Sequence, residues 1–463
     1  PPVVVVLGFL LAFGPEGIIN NFWKEVSGTN KPIINIYKTF WGIIFAHTFY
    51  NASVFIRVVG TGWEQLNPEF EEVSTTLGSS DQRTFFRITF PRLWPSLLAA
   101  SVIVFLYCFT SFTIVFAIGG IKYQTLETRI YTTARAYLIE DRINLAAALA
   151  LIQLIVCILL SWIYARESEL MRGEKVGYST TQLKNTLFSN PLISYQRKIT
   201  IFSYFVVLCG VILLPMFAVF AFSLFTKDGN FSFQVYLDIL SEKHNPFLRT
   251  SPRSQIINSL IFSILTMIGA TLLGLIAAYA LNSLTEYKSL RITIRRFLII
   301  FVLIPMAASN ITFALGLFRT FKDTIIWKEN IWMIIVLAHI LVAFPFANRS
   351  INASLESQNP EYRQIAATLG ASRIRTLLKI ELPLILPSII AAATFSFAIS
   401  MGEFGATYFL SSPEYSTISV GIYRFLDMRQ MQSAASMAVL LIIVCTISFL
   451  IVEKLGRVER ILG

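Results

Sequence analysis

Long apolar stretches alternate with short polar segments bearing Lys and Arg along nearly the whole of this 463-residue chain. Apolar runs near or above ~18 residues are the mark of bilayer-spanning helices rather than of one large core. In the second half such runs predict helices near 199–225, 255–283, 296–320, 331–349, 388–410 and 436–453. In the first half they predict only four, near 1–14, 39–58, 96–118 and 145–164. The fold class read from this pattern is all-α, a polytopic membrane protein with ten visible spans.

Self-similarity organises the spans. Leu77-Gly78 matches Leu369-Gly370, Pro91 matches Pro383 and Pro95-Ser96 matches Pro387-Ser388, each pair 292 positions apart. The register holds upstream, where Ala46-His47 matches Ala338-His339 and Arg57 matches Arg349, and downstream to Ala99-Ala100 and Ala391-Ala392. Chance does not keep one register over such a stretch without a gap, so the chain is a tandem duplication. The four helices of the first half correspond to the third through sixth of the second. The domains expected are a first unit over 1–164 lacking its first two helices, a linker over 165–198, and a complete six-helix unit over 199–463. The chain opens on Pro1 inside an apolar run with no signal-peptide pattern. That start and the missing pair predict a natural chain longer by roughly ninety residues, with two further spans.

Composition sharpens this picture. Residues are 55% hydrophobic and 14% charged, where a soluble domain carries about a quarter charged. A net charge of +11 would suit nucleic acid, but the bases sit in short loops, so they read as topology. Arg166, Arg172, Lys175, Lys184, Arg197 and Lys198 lie in 165–198, and Lys288, Arg291 and Arg295 in 284–295. Arg363, Arg373, Arg375 and Lys379 precede Pro383. Alternating spans put all of these on the cytoplasmic side, and 226–254, 319–330 and 411–435 outside. The linker also carries Glu167, Glu169 and Glu174 and is expected to be a solvated tether. Cys108, Cys157, Cys209 and Cys445 fall inside apolar runs without metal-ligand spacing, as small apolar residues do.

The repeated loop carries the functional signal. A short amphipathic helix, a Leu-Gly stop, a basic stretch and a Pro re-entry recur at Glu72 through Pro91 and at Gln364 through Pro383. Gly78 and Gly370 are suited to end one helix in the left-handed conformation, and Pro91 and Pro383 to open the next segment, where a missing amide costs nothing. A short helix held between two breaks offers one face to a partner. These stretches resemble the EAA loop of ABC importer permeases, the coupling helix that sits in a cleft of the ATPase subunit. The resemblance makes Glu72, Thr76, Leu77, Gly78, Pro91, Gln364, Ala366, Leu369, Gly370 and Pro383 the coupling residues, in two tandem type I permease units. The family's usual Glu is Glu72 in one copy but Gln364 in the other.

Within that family, Tyr107 through Val115 with Gly119-Gly120, the run Thr125-Leu126-Glu127-Thr128 to Ile130-Tyr131, and Val452-Glu453-Lys454-Leu455 resemble the thiamine permease. Ser400 through Gly405 is similar to both the thiamine and the ferric iron permeases. The resemblance implies import of thiamine or its phosphates, or of ferric iron in the alternative. It implies a separate ABC ATPase homodimer that handles ATP and Mg, an extracytoplasmic binding protein, a place in the bacterial inner membrane, and no cofactor or metal in this chain. No GxxxxGK[ST] phosphate loop occurs, so the chain is expected to be a transport subunit and not an enzyme. An ion-coupled secondary transporter of parallel repeats is the further alternative; scarce intramembrane acids and two coupling loops stand against it.

An ionisable residue at membrane depth costs about 2.5–3.5 kcal/mol on insertion scales and is a functional candidate by default. Glu403, between Gly402 and Gly405, is the clearest case, and Ser111 is its repeat counterpart. The pair is read as lining the substrate pathway, or else Glu403 is bonded to backbone loosened near a span's end. His47 and His339 occupy equivalent positions and are read as packing and hydrogen-bonding residues, with metal ligation the alternative.

Overall fold

Within hydrocarbon each backbone amide needs a partner inside its own segment, so apolar runs of this length fold as helices. The computed structural model describes residues 1–120, 122–136, 140–173, 195–226, 229–241, 245, 248–283, 308–359 and 361–462. Its first helices are α1 (Pro2–Phe13), α2 (Ile18–Ser27), α3 (Phe40–Glu64), α4 (Glu69–Thr76), α5 (Asp81–Thr84), α6 (Phe90–Phe109), α7 (Leu126–Arg135) and α8 (Glu140–Gly173). There follow α9 (Tyr195–Leu224), α10 (Gln234–Leu240), α11 (Pro252–Ser283), α12 (Asn310–Phe321), α13 (Ile325–Glu329) and α14 (Ile331–Glu356). The last are α15 (Glu361–Thr368), α16 (Arg373–Thr376), α17 (Leu382–Gly402), α18 (Gly405–Leu410), α19 (Ile418–Asp427) and α20 (Met431–Leu462).

Among the described residues nine helical stretches are long and apolar enough to cross a membrane. The expected span near 296–320 falls on residues outside the description up to 307; the described part is α12, whose N-terminus Ser309 caps by accepting from the Thr312 amide at 3.1 Å. The expected tether over 165–198 lies outside the described residues from 174 to 194, and the residues flanking that gap are helical, in α8 and α9.

Two compact bodies form: Pro1–Leu7, Phe112–Leu154 and Val219–Gly463 in one, Gly8–Ser111 and Ile155–Ala218 in the other. They do not coincide with the sequence halves, because the stretch after Ser111 buries its apolar side chains among residues of α12, α18 and α19.

In the larger body α11, α14 and α17 pack closely through small and hydroxyl-bearing residues, as helices must where lipid is as apolar as leucine. A Cβ added at Gly274 on α11 would stand 2.9 Å from the Asn348 amide nitrogen of α14. The Asn348 side-chain amide in turn donates to the Gly274 carbonyl at 3.1 Å. Phe262, Ile334, Ile335, Ala338, Ala406 and Leu410 fill one part of this core. In the smaller body Phe9 meets Phe49 edge-on at 5.2 Å, and Asn51 of α3 donates to the Cys108 sulfur of α6 at 3.4 Å.

Two expected spans differ in outline. The one near 388–410 is broken: α17 ends at Gly402, Glu403 is extended, and α18 begins at Gly405. The one near 96–118 begins earlier, in a helical run from Gln82, and stops at Phe109. Pro91 and Pro383 therefore do not open new segments. Each follows a π-turn, Phe85–Thr89 or Leu377–Glu381, in which Phe90 donates to the Phe85 carbonyl and Leu382 to the Leu377 carbonyl. The extra residue of a π-turn shifts the hydrogen-bond register, so the prolyl nitrogen is absorbed without ending the helix.

Replacing Gly274 with Val should overpack the α11–α14 contact at a cost of about 1–3 kcal/mol. Thermal unfolding of the detergent-solubilised chain is expected to shift down by several degrees, while Gly316→Ala, in the interior of α12 where an added Cβ meets nothing within 4 Å, leaves it unchanged or slightly raised. Equal midpoints would remove the close approach as a source of stability.

Candidate functional site

The two repeated loops fold alike, each within its own body. Asn67 and Asn359 open their helices by accepting from the Glu69 and Glu361 amides at 2.9 and 3.0 Å. Gly78 and Gly370 end them with φ of +81° and +77°, a region where a β-carbon is penalised. Beyond each glycine the same pair of bonds closes the helix: Gly78 to Thr75 and Ser79 to Ser74, Gly370 to Ala367 and Ala371 to Ala366. That is the Schellman arrangement, and it satisfies carbonyls the helix end would otherwise orphan.

What this fixes is an outward apolar face. Phe70, Val73 and Leu77 are exposed on α4, and Tyr362, Ile365 and Leu369 on α15, with Leu77 and Leu369 82% and 81% accessible. Ser74 and Ala366 face inward and are buried. Glu72, Thr76 and Gln364 stand exposed beside these faces; the Thr76 hydroxyl donates to the Glu72 carbonyl at 2.7 Å. The two helices are braced at matching positions by different chemistry. In the first copy Thr89 donates to the Glu71 carboxylate at 2.5 Å; in the second Arg363 pairs with Glu381 at 2.6 Å.

A second site lies in the larger body, beyond the far end of α17. Glu403 is buried. Its carboxylate accepts from the Ala406 and Thr407 amides at 2.8 and 2.9 Å, the Thr407 hydroxyl at 2.7 Å and the Asn310 side chain at 3.2 Å. Hydrogen bonds to a charged group are each worth about 1.5–3 kcal/mol, so four of them offset the insertion cost of the carboxylate. His339 joins this network, with Nδ1 2.7 Å from Ser400 Oγ, and with Nε2 2.7 Å from Thr407 Oγ1 and 3.4 Å from Glu403. His47 belongs to the other body, where Asn51 donates to its carbonyl at 3.0 Å. Ser111 also lies there, half-buried, its amide donating to the Cys108 carbonyl at 3.3 Å.

Next to Glu403 stands a feature that the sequence reading passed over. Six rings of one cluster correspond across the repeat, Phe112 to Phe404, Phe116 to Tyr408 and Tyr131 to Tyr423. Their centroid distances match across the repeat. Phe112–Phe116 and Phe404–Tyr408 are 4.8 and 5.0 Å apart. Phe112–Tyr131 and Phe404–Tyr423 are 5.0 and 5.2 Å, and Phe116–Tyr131 and Tyr408–Tyr423 are 5.2 and 5.3 Å. The crossing contacts Phe116–Tyr423 and Tyr131–Tyr408, at 5.5 and 5.6 Å, match as well. The rings thus obey a local two-fold relation, with Phe112 stacked on Phe404 at 5.9 Å and Phe116 tilted against Tyr408 at 5.7 Å across it. The 292-residue register, carried past Ser111, was the signal that finds them. A further buried acid, Glu127 on α7, accepts from the Gln153 side chain at 2.7 Å.

The thiamine transport system permease protein ThiP of Haemophilus influenzae is 25% identical over 460 residues, covering 97% of this chain and 78% of its own. The Escherichia coli ThiP is 23% identical, covering 99% and 80%. The Fe(3+)-transport system permease protein FbpB 2 of Haemophilus influenzae is 24% identical, covering 90% and 77%. A solved bacterial ABC transporter that imports alginate is similar at 18% identity and a TM-score of 0.46, over 57% of this chain and 96% of that one. Residues 1–172 and 270–458 match the family described as binding-protein-dependent transport system inner membrane component. The chain belongs to that family: it is a multi-pass ABC importer permease of the cytoplasmic membrane, a transport component and not an enzyme.

Proposed function

We propose that this permease imports thiamine or its phosphates, drawing energy from a separate ATPase homodimer that binds ATP and Mg and grips the loops at 67–91 and 359–383. The observation that carries the coupling is the matched pair of apolar faces ending in Leu77 and Leu369. Three exposed apolar side chains on one face of a rigidly capped short helix, Phe70, Val73 and Leu77 or Tyr362, Ile365 and Leu369, make a contiguous patch of the kind that a partner covers. A binding protein outside delivers the ligand, and two conformations that differ in their contacts with the ATP-bound partner suffice to drive exchange. Thiamine is favoured by the ThiP relatives, which cover nearly the whole chain. Ferric iron is the second reading, supported by the FbpB relative at almost the same identity.

Glu403, in this reading, does not touch the cargo. Its acceptor positions are engaged by the chain, and it holds Phe404 in the ring cluster by capping α18, which makes it a positioning residue.

Substrate-stimulated ATP hydrolysis is the direct test. With the full-length chain, its ATPase and its binding protein, thiamine compounds should raise turnover; stimulation by ferric iron alone would replace the substrate, and no ATPase association would sink the coupling role. Gly370→Val forces a β-branched residue to φ +77°, at a cost of about 1–2 kcal/mol. It is expected to insert normally but lose stimulated hydrolysis, so wild-type stimulation would exclude the loop from coupling. Glu403→Gln should lower maximal uptake several-fold at unchanged KM. A raised KM with unchanged maximal rate would put the carboxylate on the substrate instead.

A further inference from the structure

The six rings are matched across the repeat, but the charges around them are not. Arg135, at the end of α7, lies with its guanidinium carbon 5.6 Å from the Tyr131 ring centroid and 5.9 Å from that of Tyr408, its Nε donating to the Tyr131 hydroxyl at 3.0 Å. Arg424 on α19, half-buried, donates to the Leu248 carbonyl at 2.8 Å. Arg249 follows Leu248 directly and lines an open depression of about 500 Å³ with the hydroxyls of Thr250, Ser251, Ser254 and Ser412. The repeat counterparts of Arg135 and Arg424 are Asp427 and Thr132, and Arg249 precedes the repeated stretch. Architecture would keep these positions alike, as it keeps the rings; a role in reading one asymmetric ligand would not.

Among the described residues no salt bridge engages any of the three arginines. The acids within ten positions of them in the sequence are Glu127, Glu140, Asp141, Glu242, Glu414 and Asp427; of these Glu127 is held by Gln153, Glu414 lines the depression and Asp427 lies on α19. Burial pulls the Arg424 guanidinium below its ordinary value, and the Arg249 and Arg135 charges act the same way, against the pull of Tyr408 and Tyr131. Mutual repulsion of this kind is relieved by an anion. The location is outward. From the second coupling loop α17 runs 21 residues, about 30 Å at 1.5 Å per residue and so one hydrocarbon thickness, and α18 and α19 follow at its far end.

We propose that Arg135, Arg249 and Arg424 form an anion-binding collar at the outward end of the ring cluster, built to take the phosphate or phosphonate group of the transported molecule. The inference rests on the permease reading above. One guanidinium satisfies a carboxylate; three guanidinia, Arg249 among them beside the hydroxyls of the depression, suit a multiply charged tetrahedral oxyanion, which arginine holds in bidentate fashion.

The test uses the full-length chain with its ATPase in nanodiscs, without the binding protein, and inorganic pyrophosphate as the probe in calorimetry. Wild type should bind it, and Arg135→Gln and Arg424→Gln should each weaken binding about tenfold, since a charged hydrogen bond is worth about 1.5–3 kcal/mol. Arg424→Lys keeps the charge and a donor for the Leu248 carbonyl, so retained binding there separates lost recognition from lost folding. With the binding protein added, both Gln variants should impair stimulation by thiamine diphosphate and spare that by thiamine. Absence of pyrophosphate binding to wild type would overturn the collar. Equal impairment with both thiamine compounds would overturn it too, and would assign the arginines to docking an acidic face of the binding protein. Pyrophosphate binding without a response to any thiamine compound would uphold the collar while removing thiamine as cargo; an alkylphosphonate in the same calorimetry then tells phosphonate from phosphate ester.

Discussion

A helix interrupted inside a packed core leaves backbone amides with no water to turn to, and some side chain has to take them. Here that side chain is Glu403. Where α17 stops, its carboxylate accepts the Ala406 and Thr407 amides that open α18, and Asn310 and the Thr407 hydroxyl complete its shell. The capped break turns the chain so that Phe404 and Tyr408 enter the ring cluster. The later turn is repaired in the same manner, the Ser259 hydroxyl accepting from the Ile418 amide at 2.8 Å as α19 begins. In this half a buried carboxylate is what satisfies the break and leads Phe404 into the rings.

The first half reaches the same cluster by another route. Ser111 stands where Glu403 would, and α7 is opened by a capping box, Thr125 with Thr128, the Thr125 amide donating to the Thr128 hydroxyl at 2.9 Å. Different polar solutions carry matched rings to matched distances. Ring packing is tolerant of the chemistry behind it as long as each centroid sits at roughly 4.5–7 Å from its neighbours. A duplicated architecture can therefore keep its apolar contacts while its polar residues diverge, and divergent polar residues become the informative ones.

How much of this could be read from the chain follows the same division. The duplication, the helical class and the shape of the repeated loops were legible because they rest on local patterns: a 292-residue register, apolar runs, and Leu-Gly stops whose glycines take the left-handed conformation that residue type suggests. The π-turns before Pro91 and Pro383 were not legible, since a proline after a polar loop reads equally well as a helix start, and only the bonds from Phe90 and Leu382 decide. Glu403 was found, but its surroundings depend on Asn310, 93 positions away in the chain. Nor do the compact bodies follow the repeat, because burial of 112–154 with α12, α18 and α19 is a contact between halves that no local pattern announces.

The contrast between the repeated loops and the surroundings of the ring cluster has a physical reason. On the cytoplasmic side the proposed partner is a homodimer, which presents the same cleft twice, so both loops are held to one shape: Phe70 and Tyr362, Val73 and Ile365, Leu77 and Leu369. The permitted changes fall where the partner's cleft does not dictate them, as in the brace, where Glu71 with Thr89 becomes Arg363 with Glu381. The proposed cargo, thiamine or its phosphates, is a single molecule without two-fold symmetry, and a pair of identical half-sites would serve it poorly. Arg135 against Asp427 and Thr132 against Arg424 are then what specificity requires of a duplicated frame: the apolar scaffold stays paired, and the charges that read the ligand do not.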